Sequence, residues 1–539
     1  MTVIRPLSVL LVASVLVISA AAQSSFPAAE TAGQTSNEPQ QSLGDIARSL
    51  HKNKPAEVRI TQQDAQELFR SVDEIFKFAS EDSGLPQKTP VKRRLIGQAD
   101  VEKFVRDKMS SEEYNDRFAR SETTMKKFGL LPRGFDLRGF LVKSDGQQVA
   151  AYYDDDTKVI SLLNWVPLDE QKPVLAHELT HALQDQSYDL KRWAKAGAHP
   201  AFVRSNGSFE VDDDESISVR HAVAEGQAMI VYYDYILAPT GRNMKNAPGL
   251  ISAMEDPSVR AVVDTPLMHS APMILREAGS FPYRDGLIFE ATLLQRGGKE
   301  LAFAGALAHP PHSTHEILQP EAYLHPEPLP SLPIPDVRPL IADKYAMYDS
   351  GSFGELDVRA LLKQLGNRRV ADEIAGFWQG GAYLAFAPAG QNGKVAPPSD
   401  PADVALLYVS RWKTPEALQK FAKLYADGVA RRYKTTELRQ KGSCTAGTEC
   451  SQWTTEITTE EGPVIIEEWP NNILIISESF DEGTAAKLRN AMFERRKDQN
   501  ADFISPDELG TRLEWLPAFR RWQGQIGNDL RQAVLQVSH

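Results

Sequence analysis

Apolar residues in the first part of the chain recur with the period of amphipathic helices. Between Ala65 and Phe76 they stand three or four positions apart, and Thr61 precedes them as a candidate N-cap. A second helical pattern runs from about residue 99 to 128 and ends near Gly129. We therefore expect two helices before the first change of period.

The period then changes to that of strands. Two β-rich runs, 149–153 and 158–163, flank the polar turn sequence 154–157, and this order predicts a β-hairpin. A helical pattern follows, without glycine and with apolar residues three and four apart: Leu175, Leu179, Ala182 and Leu183. Pro173 suits the first turn of that helix, where a missing N–H leaves no hydrogen bond unmade.

The last part of the chain mixes both periods. Its runs are strand-like at 404–409, 457, 464–466 and 473–476, and helical at 414–433 and 481–496. This β-α-β-β-β-α order predicts a small α+β domain of ferredoxin-like type. The chain as a whole is therefore predicted to be an α+β protein.

The N-terminus has the pattern of a secretory signal peptide over residues 1–22. Arg5 supplies the positive charge, an apolar stretch follows, and Ala20–Ala22 fits the small-residue cleavage site. The apolar stretch is short for a membrane span. We therefore expect a secreted or periplasmic protein that begins at Gln23 and has no stable membrane span after cleavage; an uncleaved anchor is the alternative.

Composition narrows the possible functions. The chain has 539 residues, of which 42% are hydrophobic and 24% charged, as in globular proteins of several domains. The net charge of −12 argues against a nucleic-acid partner, since nucleic-acid-binding surfaces are basic. The two cysteines, Cys444 and Cys450, are spaced for a short disulfide loop in an oxidising compartment.

The helix predicted after the hairpin contains the motif H-E-x-x-H. His177 and His181 lie four residues apart, so a helix presents both imidazoles on one face. Two ring nitrogens placed in this way can bind one tetrahedral zinc ion, and Glu178 beside them can accept a proton from metal-activated water. The alternative is a surface helix with two solvated histidines.

A distant acid would complete a His₂Glu zinc site. Glu225 lies on a helix predicted over 218–232 and is flanked by small and apolar residues, where a carboxylate needs a partner. It is our candidate third ligand, and His221, one turn earlier, is a candidate neighbour that orients it. Its rivals lie between the two helices: His199, Glu210, Asp212, Asp213, Asp214, Glu215 and His221. The acidic run 212–215 fits the N-terminus of the second helix better than a metal site.

The segment His177–Gln186 resembles the zinc-binding helix of thermolysin-type gluzincins, including the acid Asp185 four residues after the second histidine. A metzincin would have Gly and His where this chain has Gln184 and Ser187. Two features differ from thermolysin-type enzymes. Met229 stands where they have an aspartate that orients a ligand histidine, and the 43 residues between His181 and Glu225 exceed the thermolysin-type spacing.

The pair HELTHALQDQ and AVAEGQA also resembles a group of secreted bacterial zinc metallopeptidases, over about residues 129–324 and more weakly to 377–380. This resemblance implies a zincin-like catalytic core, formed by the hairpin, the H-E-x-x-H helix and a largely helical lobe. It implies zinc bound by His177, His181 and Glu225, with Glu178 as the general base.

The domain organisation follows from these features. We expect a disordered linker over 23–45, where Ser, Pro, Gln and Glu are frequent, and the zincin-like catalytic domain over 46–340. A helical connecting region over 341–403 and the α+β domain over 404–539 complete the prediction. The Pro-rich stretch 323–339 marks a boundary or an extended strap.

The expected function is hydrolysis of peptide bonds in a peptide or protein substrate by a secreted zinc metallopeptidase. The alternatives are a zinc hydrolase of another amide, such as a cell-wall peptide, and a non-catalytic relative that binds metal or peptides. Tyr283, His312 and His315 are candidate donors to an oxyanion. The two histidines lie with His309 in a Pro-rich loop, where surface positions are favoured. The sequence does not indicate an oligomeric state.

Overall fold

A computed structural model gives the structure of the chain. It describes residues 60–97, 100, 112–145, 151–197, 199–213, 215–247, 249, 268, 270–326, 332, 334–390, 398, 400–441 and 453–498. The predicted signal peptide, the predicted linker and the cysteine pair Cys444 and Cys450 lie outside these residues.

The α-helices in the described part of the chain are α1 Gln62–Ser83, α2 Glu112–Phe128, α3 Leu137–Asp145, α4 Leu168–Tyr188, α5 Leu190–Lys195, α6 Glu215–Leu237, α7 Met273–Lys299, α8 Ala306–Ala308, α9 Thr314–Leu318, α10 Pro320–Leu324, α11 Arg338–Ile341, α12 Glu355–Leu365, α13 Arg368–Ile374, α14 Pro415–Arg432 and α15 Glu482–Asp498. A π-helix, Glu300–Gly305, joins α7 to α8.

The strands are β1 Lys92–Ile96, β2 Ala151–Asp154, β3 Val159–Leu163, β4 Phe202–Val203, β5 Phe209–Glu210, β6 Tyr345–Ser352, β7 Trp378–Pro388, β8 Ala405–Trp412, β9 Thr436–Lys441, β10 Trp453–Thr459, β11 Gly462–Trp469 and β12 Ile473–Glu478.

The predicted hairpin is confirmed as β2 and β3. The two strands pair antiparallel, with Ala151 opposite Leu162 and Asp154 opposite Val159. β1 adds to the other side of β3 in parallel, so the order of this small sheet is β1-β3-β2. Within the described residues β2 pairs with β3 alone, which makes it an edge strand, and it packs against α4.

Helices α1, α4, α6 and α7 pack around one hydrophobic core. The predicted cap of α1 is confirmed, since the Thr61 hydroxyl accepts from the Asp64 N–H and the Asp64 carboxylate accepts from the Thr61 N–H. Helices α6 and α7 cross at two glycines. A Cβ on Gly226 would lie 2.3 Å from the carbonyl oxygen of Gly286, and one on Gly286 would lie 2.2 Å from that of Ala222. The crossing therefore requires glycine at both positions.

A second layer is a seven-stranded sheet in the order β6-β7-β8-β12-β11-β10-β9. Every neighbouring pair is antiparallel. The predicted α+β class is confirmed at this level, as a helical N-terminal part followed by an antiparallel sheet. Among the described helices, none has the length and hydropathy of a transmembrane span.

The sheet is wider than the ferredoxin-like domain predicted over 404–539. The region predicted as a helical connection, 341–403, contains α12 and α13 but also β6 and β7, so the prediction is wrong for both strands. β7 is a nearly continuous apolar run that is buried on both faces. Such a run has no period-two pattern to separate it from a buried helix.

Candidate metal centre

Helix α4 carries both histidines of the motif. It begins at Leu168 with two acids in its first turn, so Pro173 lies inside the helix and its predicted first-turn position is wrong. The rings of His177 and His181 meet edge to face, with 3.1 Å between their Nε2 atoms. The helix therefore directs both nitrogens to one point, as the four-residue spacing predicted.

Helix α6 brings Glu225 to the same point. Its Oε2 lies 3.0 Å from Nε2 of His177 and 3.5 Å from Nε2 of His181. The three residues form a group whose ligand atoms lie within 4.8 Å of one another. Ligands bound at about 2.05 Å on the corners of a tetrahedron are about 3.3 Å apart, so this donor set fits a zinc ion.

The rival ligands have other contacts. Glu210 pairs with Arg204, Asp212 accepts from the Ser350 hydroxyl, and Glu215 accepts from the Thr314 hydroxyl.

The Asp213 carboxylate caps α6 by accepting from the Ser216 N–H, as an acidic helix start predicts, and His199 contacts the Pro200 carbonyl. Asp214 lies outside the described residues.

His221 is the predicted neighbour of Glu225. Its Nε2 lies 3.1 Å from Oε1 of Glu225, while Oε2 faces the two histidines of α4. One oxygen of the Glu225 carboxylate thus contacts His221 and the other faces the two histidines. The contact with His221 orients Oε2 toward them.

The charge of Glu225 suits a cation. Burial alone would raise the pKa of Glu225, but the charge of His181 and the adjacent His177 ring hold it well below its usual range. Burial acts against the charged form of His181, yet the Glu225 carboxylate raises its pKa to about 9. Burial lowers the pKa of His177. Glu225 therefore stays ionised at neutral pH, as a metal ligand must.

Glu178 has a different environment from Glu225. Its Oε2 accepts a hydrogen bond of 2.8 Å from the backbone N–H of Tyr153 on β2. Burial raises the pKa of Glu178 to about 7, against the lowering effect of His181 and of that N–H. A carboxyl group with a pKa near 7 can exchange a proton at neutral pH.

Asp185 ties β2 and β3 to the C-terminal half of α4. It accepts from the Tyr153 hydroxyl and the Lys158 ammonium, both at 2.7 Å, and from the Leu190 N–H at 3.1 Å. A cavity of about 360 Å³ opens beside it. The cavity is lined by Thr89, Pro90, Val91, Tyr153, Lys158, Asp185, Gln186 and Asp189. Tyr153 thus contacts both the cavity and the general-base candidate.

The three oxyanion candidates have different places. Tyr283 lies beside the centre, with its ring stacked on His177 at a centroid distance of 6.4 Å. His315 lies 2.6 Å from the Glu355 carboxylate, and the backbone N–H of His312 donates to Glu316. Tyr283 therefore contacts a proposed ligand of the centre.

Two glutamines of the centre were missed by the sequence reasoning. Gln184 contacts His181, and Gln227 contacts Gln184. The helical spacing could have predicted the first contact, because Gln184 lies three residues after His181 and so faces the same side of α4. The second pairs two helices that are distant in sequence, and no local pattern indicates it.

Comparisons with known proteins add no further assignment: no protein-family model, no curated protein and no solved structure matches the chain. What the chain contains is thus a buried His-His-Glu group, which is a possible metal site.

Proposed function

We propose that this protein is a secreted zinc metallopeptidase of gluzincin type, in which His177, His181 and Glu225 bind zinc and Glu178 is the general base. One observation carries the proposal: three donor atoms at tetrahedral spacing lie beside a buried glutamate. Two imidazoles and a carboxylate are the donor set of catalytic zinc sites that leave one position open.

The proposed reaction is hydrolysis of an amide. A bound zinc ion would acidify water and polarise the carbonyl group. Glu178 accepts the proton as the water oxygen bonds to the amide carbon, and delivers it to the nitrogen as the carbon–nitrogen bond breaks. The pKa of Glu178 near 7 suits both directions of transfer, and the Tyr153 N–H holds its carboxylate in place.

The edge strand β2 supports a peptide as substrate. The Tyr153 N–H points to Glu178 and thus away from β3, so the Tyr153 carbonyl faces the same edge, with which no described strand pairs. An extended peptide can add to such an edge through backbone hydrogen bonds. It would then pass the general base and the metal centre.

The arrangement of elements supports a zincin-like core. The hairpin β2–β3, the helix α4 and the helical lobe that contains α6 follow the order expected for such a core. Secretion rests on the pattern of residues 1–22. It predicts that exported protein begins at Gln23; an intact Met1 in exported material would contradict it.

The test is peptide cleavage by the purified mature chain. A mixture of peptides of known sequence is incubated with the zinc-loaded protein, and new termini are identified by mass spectrometry. Cleavage should stop when a chelator removes the metal and return when zinc is restored. Cleavage that resists the chelator, or no cleavage by fully zinc-loaded protein, would contradict the proposal.

A further inference from the structure

The orientation of the Gln184 side chain is fixed by a backbone carbonyl. Its Nε2 lies 3.0 Å from the carbonyl oxygen of Ala224, which can only accept. The nitrogen of the amide must therefore point to Ala224, and its Oε1 must be the atom that lies 2.9 Å from Nδ1 of His181. Since this oxygen can only accept, Nδ1 of His181 carries a proton and donates it.

Gln227 extends this contact in the same direction. Its Nε2 lies 2.8 Å from the carbonyl of Ala302 and 3.1 Å from that of Phe303, so it must donate there. Its Oε1 then faces Gln184 and accepts from the Gln184 Nε2 at 2.9 Å. Both glutamines are fully buried, so water does not compete for these bonds.

The two final acceptors lie in the π-helix Glu300–Gly305. A wider turn changes the positions of the carbonyl groups relative to an α-helix, and such turns occur often at functional sites. The carbonyl groups of Ala302 and Phe303 thus orient the Gln227 amide, although the π-helix itself carries none of the proposed metal ligands.

We infer that Gln184 and Gln227 form an amide relay that keeps the proton of His181 on Nδ1 and leaves the Nε2 lone pair for the metal. The inference rests on the proposed metal site. Such a relay is needed because an acceptor must hold Nδ1–H if Nε2 is to be the ligand. Gln184 and Gln227 are positioning residues, since they act through His181.

The relay is tested by zinc affinity. Gln184→Met keeps the size of the side chain but removes the acceptor, and zinc affinity should fall about 10–100-fold. Gln227→Met should weaken it by a smaller factor, because Ala224 still holds the Gln184 amide. The matched control is Gln186→Met on the same helix, since the Gln186 amide bonds to residues 88 and 89 instead. It should bind zinc as the wild type does.

A second measurement does not depend on metal. In metal-free protein labelled with ¹⁵N-histidine, the Nδ1 proton of His181 should exchange slowly, and its signal is assigned by its loss in a His181 variant. The signal should broaden or disappear in Gln184→Met and persist in Gln186→Met. If the wild type binds no zinc, the proposed function fails, and this signal still decides the inference.

Three results would overturn the relay. They are unchanged zinc affinity in Gln184→Met, a Gln227→Met variant that behaves as the Gln186→Met control, and a slowly exchanging Nδ1 proton that survives in Gln184→Met. Should Gln184→Met fail to fold, Gln227→Met decides the outcome, since the inference requires its affinity to be lower than that of the control.

Discussion

Glu178 and Glu225 are chemically identical, yet their surroundings shift their pKa values in opposite directions. Burial raises the pKa of Glu178 to about 7, while the histidines around Glu225 hold its pKa well below the usual range despite burial. Two carboxyl groups separated in this way have separate roles, one as proton carrier and one as permanent anion. This difference agrees with the proposed roles of Glu178 as base and Glu225 as ligand, which rest on the geometry of the group.

Replacing Glu178 tests its role. Glu178→Gln keeps the shape but cannot accept a proton, so peptide cleavage should fall by at least about 10²–10⁴-fold while zinc content stays that of the wild type. Cleavage rates and bound zinc are measured on the same samples. A variant that still cleaves at the wild-type rate would show that Glu178 is not the base.

The pH profile of the wild type follows from the same group. The base form of Glu178 is populated above its pKa, which is about 7 without metal, so kcat/KM should fall as the pH drops through the pKa of the zinc-loaded protein. A bound zinc ion favours the carboxylate and moves this limb to lower pH. A rate that rises on acidification would contradict the assignment.

At this scale the sequence predicted the three residues that come together in the group, but not the residues that hold them in place. His177, His181 and Glu178 follow from one motif on one helix, and Glu225 from a carboxylate among small residues. The Gln184–Gln227 contact and the Tyr153 N–H bond depend on how separate elements pack. No periodic pattern carries that information.

At the scale of elements, the crossing of α6 and α7 positions Glu225. Gly286→Ala would place a Cβ 2.2 Å from the Ala222 carbonyl and force the helices apart. We expect a loss of about 1–3 kcal/mol in the free energy of unfolding and weaker zinc binding. The control is Gly279→Ala on the same helix, where the added Cβ meets only the end of the flexible Met268 side chain. Urea unfolding of both variants measures this, and equal stabilities would contradict the account.

A second contact between elements predicts a pH dependence of stability. The buried carboxyl groups of Asp234 on α6 and Asp82 on α1 interact, and burial together with the Asp82 charge raises the pKa of Asp234 to about 8. A carboxyl group with a higher pKa in the folded state stabilises the fold below its unfolded pKa, near 4, and this contribution is lost as the pH rises through about 8.

Asp234→Asn removes that titration. Between pH 5 and pH 9 the free energy of unfolding of the wild type should therefore fall by at least about 1 kcal/mol more than that of the variant. Urea unfolding at both pH values measures the difference. Parallel behaviour of the two proteins would show that the pKa of Asp234 is not raised in the folded state.

The sequence predicted single elements better than the sheet they form. The hairpin, the cap at Thr61 and the helices around the centre have local patterns. The strand β7 pairs with both β6 and β8 and is buried on both faces, so it lacks the period-two pattern that would identify it as a strand.

At the scale of the whole molecule, the metal centre and the large sheet belong to different hydrophobic cores. Helix α2 contacts the sheet through Lys127, which is fully buried and donates to Glu461 at 2.9 Å and to Ser479 at 2.8 Å. Burial lowers the pKa of this lysine, although the carboxylates of Glu478 and Glu461 act against the shift.

Lys127→Met should lower the free energy of unfolding without changing zinc affinity. Removal of one partner from a buried ion pair should cost about 3–5 kcal/mol of unfolding free energy. Zinc affinity should stay unchanged, because the described contacts of the centre come from the other core. The exposed pair Lys420–Glu373 provides the control, and Lys420→Met should cost less than about 1 kcal/mol. A parallel loss of zinc affinity in Lys127→Met would show that the sheet contributes to the centre.

The measurement that tests the central claim most directly is a zinc titration of the metal-free protein. We expect one zinc ion per wild-type chain. Loss of a residue that hydrogen-bonds to a ligand reduces metal affinity by up to about 100-fold. Glu225→Ala removes a ligand itself, so its zinc affinity should fall by more than that. Glu210→Ala, which removes a glutamate paired with Arg204 outside the centre, should bind as the wild type does. No stoichiometric binding by the wild type, or wild-type affinity in Glu225→Ala, would contradict the account.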